Sequence, residues 1–140
     1  LVVHERADPT TMGGVVESGR EAYEMAGYGP EDVDVAELHD MFTILEFLQM
    51  EGLDIAEKGE AWKMAMDGET AMDGPLPINT SGGLKSKGHP LGASGVAQGY
   101  EIYQQLVGGA GERQVDAEVG LACNVGGFGN CVITTLMEAA

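Results

Sequence analysis

One histidine of this chain lies in a segment whose composition favours direct contact with a ligand. His89 is followed by Pro90, has glycines close by at 88, 92 and 95, and precedes an apolar segment with helical spacing. Glycines allow sharp turns and close approach of the backbone to another molecule, and Pro90 fixes φ ahead of the helix. We therefore expect the imidazole and nearby free amides to point into one pocket.

A second histidine directly follows a predicted strand. The largely apolar segment 33–38 favours a strand, and His39 and Asp40 come immediately after it. Open α/β sheets bind ligands at the carboxyl ends of their strands, so this position is suited to a functional group. Helix capping is the alternative for both residues, and for Asp40, ahead of a helix that begins near Met41, it is the preferred interpretation.

The two cysteines, Cys123 and Cys131, lie in apolar, β-branched runs at 119–125 and 130–137. These runs predict two neighbouring strands. A thiol can transfer a proton or act as a nucleophile, but a small buried thiol in a strand is the commoner case. Both interpretations stay open for Cys123, whereas Cys131 is expected to be a core residue.

The remaining pattern predicts the elements that position these groups. Apolar residues recur at helical spacing in three longer segments and one shorter one, and glycines at 27, 52 and 108 supply stops. The predicted helices are 12–26, 42–50, a shorter one around 56–66, and 93–107; the predicted strands are 1–4, 33–38, 76–79, 119–125 and 130–137. The apolar stripe of the helices, which includes Trp62, is expected to be core, and Phe42 is expected to pack.

This order of elements predicts a mixed β-sheet covered by helices, of the α/β class, with βαβαββ order in its core. A chain of 140 residues is long enough for one domain with its own core, and no linker divides it, so we expect one domain over 1–140. Leu1 is not an initiator methionine, and 1–4 reads as a strand entered partway. The sequence is therefore expected to be a fragment or a processed subunit.

Four sequence blocks resemble the C-terminal half of a thiolase. They are Asn-Thr-Ser-Gly-Gly at 79–83, Gly-His-Pro-Leu-Gly-Ala-Ser-Gly at 88–95, Cys-Asn-Val-Gly-Gly-Phe-Gly at 123–129, and His-Asp-Met-Phe at 39–42. The last block is similar to the His-Asp-Cys-Phe signature of sterol-carrier-protein-2-like and archaeal thiolases. The resemblance covers the whole chain and is closest over 79–95.

The resemblance implies an acyl-CoA C-acyltransferase that catalyses reversible Claisen condensation and thiolysis of 3-ketoacyl-CoA. It also implies that an N-terminal half or partner subunit supplies the nucleophilic cysteine and most coenzyme A contacts, with the active site at the junction. Coenzyme A thioesters are then the substrates, and neither a further cofactor nor a metal is expected. Thiolases assemble as dimers or tetramers, so a homo-oligomer is implied for the intact enzyme, and this chain alone should be inactive.

The resemblance also implies roles for individual residues. His89 matches the histidine that activates the nucleophile, Cys123 matches the acid/base cysteine, and His39 matches the position that holds a catalytic water or thioester oxygen. Two departures complement each other, since Val125 replaces a usual glycine and Met41 replaces a cysteine that can carry a proton. We expect the acid/base to be retained at Cys123.

The resemblance further implies that the turn at 79–83 and the glycine-rich block after Cys123 shape the pocket. The residues expected to contact substrate there are Ser81, Gly82 and Gly127.

The charge balance excludes some classes of partner. With 7 basic and 23 acidic residues the formal charge is −16, which argues against a nucleic-acid or anionic-membrane surface. Such an excess suits a high-salt cytoplasm, where screening weakens self-repulsion, so stability should rise with salt. No signal peptide and no apolar run of membrane length is evident, and a cytoplasmic location is expected.

The sequence keeps one other function open and disfavours two more. A non-catalytic thiolase-like module that binds acyl-CoA or scaffolds another enzyme is kept open by the residues at 41 and 125. A nucleotide-phosphate cradle is disfavoured because Gly-x-Gly-x-x-Gly after the first strand and Gly-Lys-Ser/Thr are absent. A zinc site from His39, His89 and Cys123 is conceivable, although no close-spaced pair of ligands is present.

Overall fold

The computed structural model describes residues 6–140, so the predicted strand at 1–4 and His4 lie outside the described residues. Within residues 6–140, five α-helices and three strands follow one another, with 3-10 turns at Pro30–Asp32 and Gly111–Arg113. The helices are α1 (Gly13–Ala26), α2 (Thr43–Gly52), α3 (Ala61–Met66), α4 (Gly83–Lys87) and α5 (Ser94–Leu106); the strands are β1 (Val35–Leu38), β2 (Val119–Gly126) and β3 (Cys131–Glu138).

The strands form one mixed sheet in the order β1-β2-β3. Strand β1 pairs with β2 in parallel, so that Leu38 lies opposite Cys123, and β2 pairs with β3 as an antiparallel hairpin. The predicted α/β class and mixed sheet are confirmed. The extended segment 76–79 contributes a single bridge between Ile78 and Ala36 rather than a full strand.

Helices cover both faces of the sheet. Helices α1 and α2 lie on one face, and α5 packs against β2 and β1 on the other. The approach of α5 is close, because a Cβ on Gly120 would lie 2.4 Å from the Ile102 side chain. The larger core cluster lies on the α1/α2 face and includes Met12, Val15, Leu38, Met50, Leu53, Leu121, Cys123 and Val125.

The long helices begin and end close to the predicted positions. Helix α1 ends at Gly27, whose φ of +76° lies in the left-handed region that favours glycine, and its amide donates to the Tyr23 carbonyl. The third helix is shorter than expected and begins at Ala61. Trp62, expected in the core stripe, is exposed and donates its indole N–H to the Gly59 carbonyl. Over residues 6–140, the helices lack the combination of length and hydropathy that a bilayer crossing requires.

Two packing predictions are wrong. Cys131 is exposed rather than buried: it begins β3, which is the outermost strand on its side among the strands of residues 6–140. Phe42, expected to pack inside, is 55% exposed at the start of α2.

Candidate active site

A cavity of about 660 Å³ lies at the carboxyl ends of β1 and β2, where parallel strands of α/β proteins bind ligands. Its volume falls within the range of about 300–1,000 Å³ that is usual for small-molecule sites. The side chains that give it chemical character are His39, Met41, His89, Asn124 and Phe128. The structure therefore brings both predicted histidines into one pocket.

The two imidazoles meet edge to face. The centroids of the His39 and His89 rings lie 4.9 Å apart with an interplanar angle of 87°. The Nδ1 atom of His89 lies 2.8 Å from Ser94 Oγ, and that hydroxyl donates to the Pro90 carbonyl at 3.3 Å. The hydroxyl has one proton; when it donates that proton to Pro90, Nδ1 is the donor to Ser94 and the lone pair of His89 is at Nε2.

His39 is held by two neighbouring elements and is only 2% exposed. Its Nδ1 lies 2.9 Å from Asn124 Oδ1, and the Gln49 side chain in α2 bonds both its backbone N–H and its carbonyl at 2.9 Å. Burial lowers the pKa of His39, and nearby His89 lowers it further, whereas the hydrogen bond that the ring donates to Asn124 and the charge of Asp40 raise it. The ring is therefore neutral at pH 7 and fixed in orientation.

Cys123 is not brought into this cavity. Its side chain is fully buried in the larger core cluster, and its sulfur accepts a hydrogen bond from Thr134 Oγ1 at 3.6 Å. Burial raises the pKa of its thiol to about 11. Its role as acid/base stays a prediction, but the geometry separates the sulfur from both histidines.

Asp40 caps a different helix from the one predicted. Its carboxylate accepts from the backbone N–H of Leu84 at 2.6 Å and of Lys85 at 3.4 Å, at the start of α4. Helix α2, which it was expected to cap, begins without a side-chain cap. The reason is tertiary: the turn before α4 is folded against residue 40, and a Cβ on Gly83 would lie 2.2 Å from the carboxylate.

The turn at 79–83 is anchored by a buried carboxylate. Glu37 accepts from the Ser81 N–H at 2.9 Å and hydroxyl at 2.6 Å, and Lys87 Nζ lies 3.0 Å from the same carboxylate. Neither Ser81 nor Gly82 lines the cavity, so their substrate contacts stay predictions.

Gly127 does line the cavity, and it also borders an apolar recess of about 200 Å³. Met41 and Phe128 line both the cavity and the recess, whereas Phe42 and Ile44 line the recess but not the cavity. The exposure of Phe42 is explained by this position at the rim.

Four residues with roles at the site were not singled out from the sequence: Gln49, Ser94, Gln98 and Asn124. Gln98 Nε2 donates to the carbonyls of Glu37 at 3.2 Å and Cys123 at 3.1 Å, which ties β1 to β2 beneath the histidines. The period of two in a strand could have found Asn124, because it lies on the face opposite Cys123.

No group of three or more His, Cys, Asp or Glu side chains within residues 6–140 has an arrangement that would hold a metal ion. The conceivable zinc set is divided, since the two histidines line the cavity and Cys123 lies in the core.

Comparison with known proteins defines the class. Residues 1–139 match the family described as thiolase C-terminal domain-like. The chain is 47% identical over 130 residues to an acetyl-CoA acetyltransferase of Methanothermobacter thermautotrophicus, covering 92% of this chain and 34% of the relative. It is 48% identical over 119 residues to sterol carrier protein 2 of Rattus norvegicus, covering 84% of this chain and 22% of the relative.

The fold is shared with a solved structure, an Ltp2-ChsH2(DUF35) aldolase, at a TM-score of 0.88 and 26% identity over 97% of this chain and 34% of that one. The chain belongs to the thiolase family and corresponds to its C-terminal domain. It spans about a third of the length of the archaeal relative and of this structure, and less of the carrier protein.

Proposed function

We propose that this chain is the C-terminal part of an acyl-CoA C-acyltransferase that condenses and cleaves 3-ketoacyl-CoA thioesters. An N-terminal thiolase half, as a partner chain or a further part of the same polypeptide, completes the site with the nucleophilic cysteine. The observation that carries this proposal is the pair of imidazoles, 4.9 Å apart in one cavity, with the Nδ1 atom of each in a hydrogen bond.

His89 has the role of base toward the nucleophile. In the tautomer that donates its Nδ1–H to Ser94, the Nε2 lone pair is available to take the proton of a thiol and leave a thiolate, the form that attacks a thioester. The imidazolium so formed donates a hydrogen bond to an oxygen on which negative charge develops. The acetyltransferase named among the relatives supports this chemistry.

The test is acylation of cysteine in acetyl-CoA and about 1 M KCl, followed by mass spectrometry. The 140-residue chain is assayed alone and with the N-terminal half. We expect a label on the cysteine of the other half, only in the mixture, and a loss of about 100-fold or more in labelling rate with His89→Gln. The exposed Cys131→Ala variant serves as the control and labels at the original rate. Labelling of Cys123 in the isolated chain would contradict the proposal.

A second function is favoured by the absence of any thiol from the cavity wall within the described residues, together with the aldolase named for the solved structure. In aldol cleavage of a 3-hydroxyacyl thioester, a base takes the hydroxyl proton and the Cα–Cβ bond breaks to a carbonyl and an enolate. An acid then protonates the enolate carbon, and no acyl-enzyme forms. Release of a carbonyl product without acylation would favour this function over thiolysis.

A further inference from the structure

Both reactions need a group that exchanges a proton with the α-carbon of a thioester, and the cavity offers few. Within the described residues, His39 and His89 are the ionisable side chains in its wall. Met41 occupies the position where related thiolases carry a cysteine, and a thioether has no proton to give. The sulfur of Cys123 lies in the core behind β2.

The hydrogen bond to Asn124 selects one tautomer of His39. An amide oxygen accepts and cannot donate, so the Nδ1 atom 2.9 Å from Asn124 Oδ1 carries the proton. The lone pair of the neutral ring is then at Nε2, the nitrogen without a protein partner among the described contacts. A strand position that faces the cavity thus decides which ring nitrogen is basic.

The position of Asn124 is itself tightly defined. A Cβ on Gly95 in the first turn of α5 would lie 3.1 Å from Asn124 Cγ, so a larger residue at 95 would push the amide from its present position by a few tenths of an ångström. One turn later, the side-chain amide of Gln98 donates to two strand carbonyls, that of Cys123, which precedes Asn124 in β2, and that of Glu37 in β1. Neither His39 nor Asn124 can therefore shift without moving a buried element.

We propose that His39 is the catalytic acid/base for the α-carbon, acting through Nε2, and that Asn124 is the positioning residue that keeps the proton on Nδ1. This inference rests on the proposed function, in which His89 serves the nucleophile. It moves the proton transfer from Cys123 to His39.

In the condensation direction, the Nε2 lone pair of His39 takes one proton from the α-carbon, and the C–H electron pair becomes that of the enolate. The enolate carbon forms the new C–C bond to the acyl carbon as the C–S bond to the N-terminal half breaks and its thiolate leaves. The proton then passes from the imidazolium to that thiolate, which restores both groups. Thiolysis runs through the same events in reverse.

The charges around the ring agree with this role. The titratable groups that act on His39 are His89 on the turn before α5 and Asp40 after β1, whereas Asn124 in β2 and Gln49 in α2 contribute neutral amides. Burial is the largest influence, and it lowers the pKa of the imidazole. The basic form is therefore the one present at neutral pH.

The first experiment follows loss of α-deuterium from labelled acyl-CoA by the completed enzyme, with cysteine acylation measured in parallel. We expect His39→Gln to slow exchange by about 100-fold or more while acylation continues within a few-fold. Cys131→Ala, at an exposed site, keeps the original exchange rate. Exchange that survives in His39→Gln and is lost in Cys123→Ser overturns the inference. No acylation by the unaltered enzyme overturns the proposed function, and this inference with it.

The second experiment tests the positioning role on the 140-residue chain, by ¹⁵N NMR of its imidazoles. We expect the neutral His39 ring with its proton on Nδ1, and a mixture of tautomers in Asn124→Leu. Asn124→Asp should restore the single tautomer, raise the pKa of His39, and move the pH profile of exchange toward alkaline values. A proton on Nε2 in the unaltered chain would refute the role of Asn124. So would an unchanged pKa and tautomer in both variants, provided their spectra show native folds.

Discussion

The two faces of strand β2 differ in what they contribute to the molecule. Leu121, Cys123 and Val125 belong to the core cluster on the α1/α2 face. Ala122 and Asn124, between them, lie in the cavity wall beside α5. Adjacent residues of one strand therefore face the core and the cavity in turn, and a difference of one position separates a buried thiol from an amide that contacts the His39 ring.

The difference matters because the thiolase resemblance pointed to Cys123, on the core face. In the structure, the position beside it makes the contact with His39. A motif identifies a segment of chain, but the pleat of the strand decides which of its side chains reaches the cavity.

The largest expected difference is in thiol reactivity. In the folded chain, iodoacetamide should modify exposed Cys131 at least about a thousandfold faster than Cys123, because modification of a core thiol needs an opening that costs several kcal/mol. The raised pKa of Cys123, about 11, slows it further. Peptide mapping by mass spectrometry over time measures both rates, and in denaturant they should converge. Equal rates in the native chain would place Cys123 on an open surface.

The two faces should also differ in stability. Leu121→Ala removes a buried side chain from the core and should lower the free energy of unfolding by about 2–5 kcal/mol. Asn124→Ala, three residues along, removes one side-chain hydrogen bond and should cost about 1 kcal/mol. Urea denaturation measures both, and Ile133→Ala on the exposed side of β3 is the control, with a change of about 0.5 kcal/mol or less. A larger loss from Asn124→Ala than from Leu121→Ala would reverse the comparison.

The smallest expected effect is on the pH dependence of stability. The pKa of His39 is lowered from 6.5 in the folded chain, so below about pH 6.5 the unfolded chain binds more protons than the folded one. The free energy of unfolding should therefore fall as pH is lowered through about 6.5 toward the folded pKa of His39. His39→Gln should lose less stability over the same interval, as measured by urea denaturation. Parallel losses in the two chains would show that His39 is not held neutral.

The capping of α4 shows where local patterns are insufficient. Asp40 has the residue type of a helix cap, and it is a cap, but for a helix that begins more than forty residues later. Local spacing predicts that Asp40 caps the next helix along the chain. It contains no information on the distant turn that tertiary folding brings to the same carboxylate.

The sequence by itself determined the elements and the class. Helical and alternating periodicity, with glycines at the stops, predicted the long helices, the strand before His39 and the β2–β3 hairpin, and the spacing of four blocks predicted the thiolase family. These properties depend on residues close in the chain. Only the tertiary structure decided that His39 meets His89, that Asn124 rather than Cys123 faces them, and that Cys131 is exposed. Those outcomes depend on the register and packing of distant segments, which no local pattern specifies.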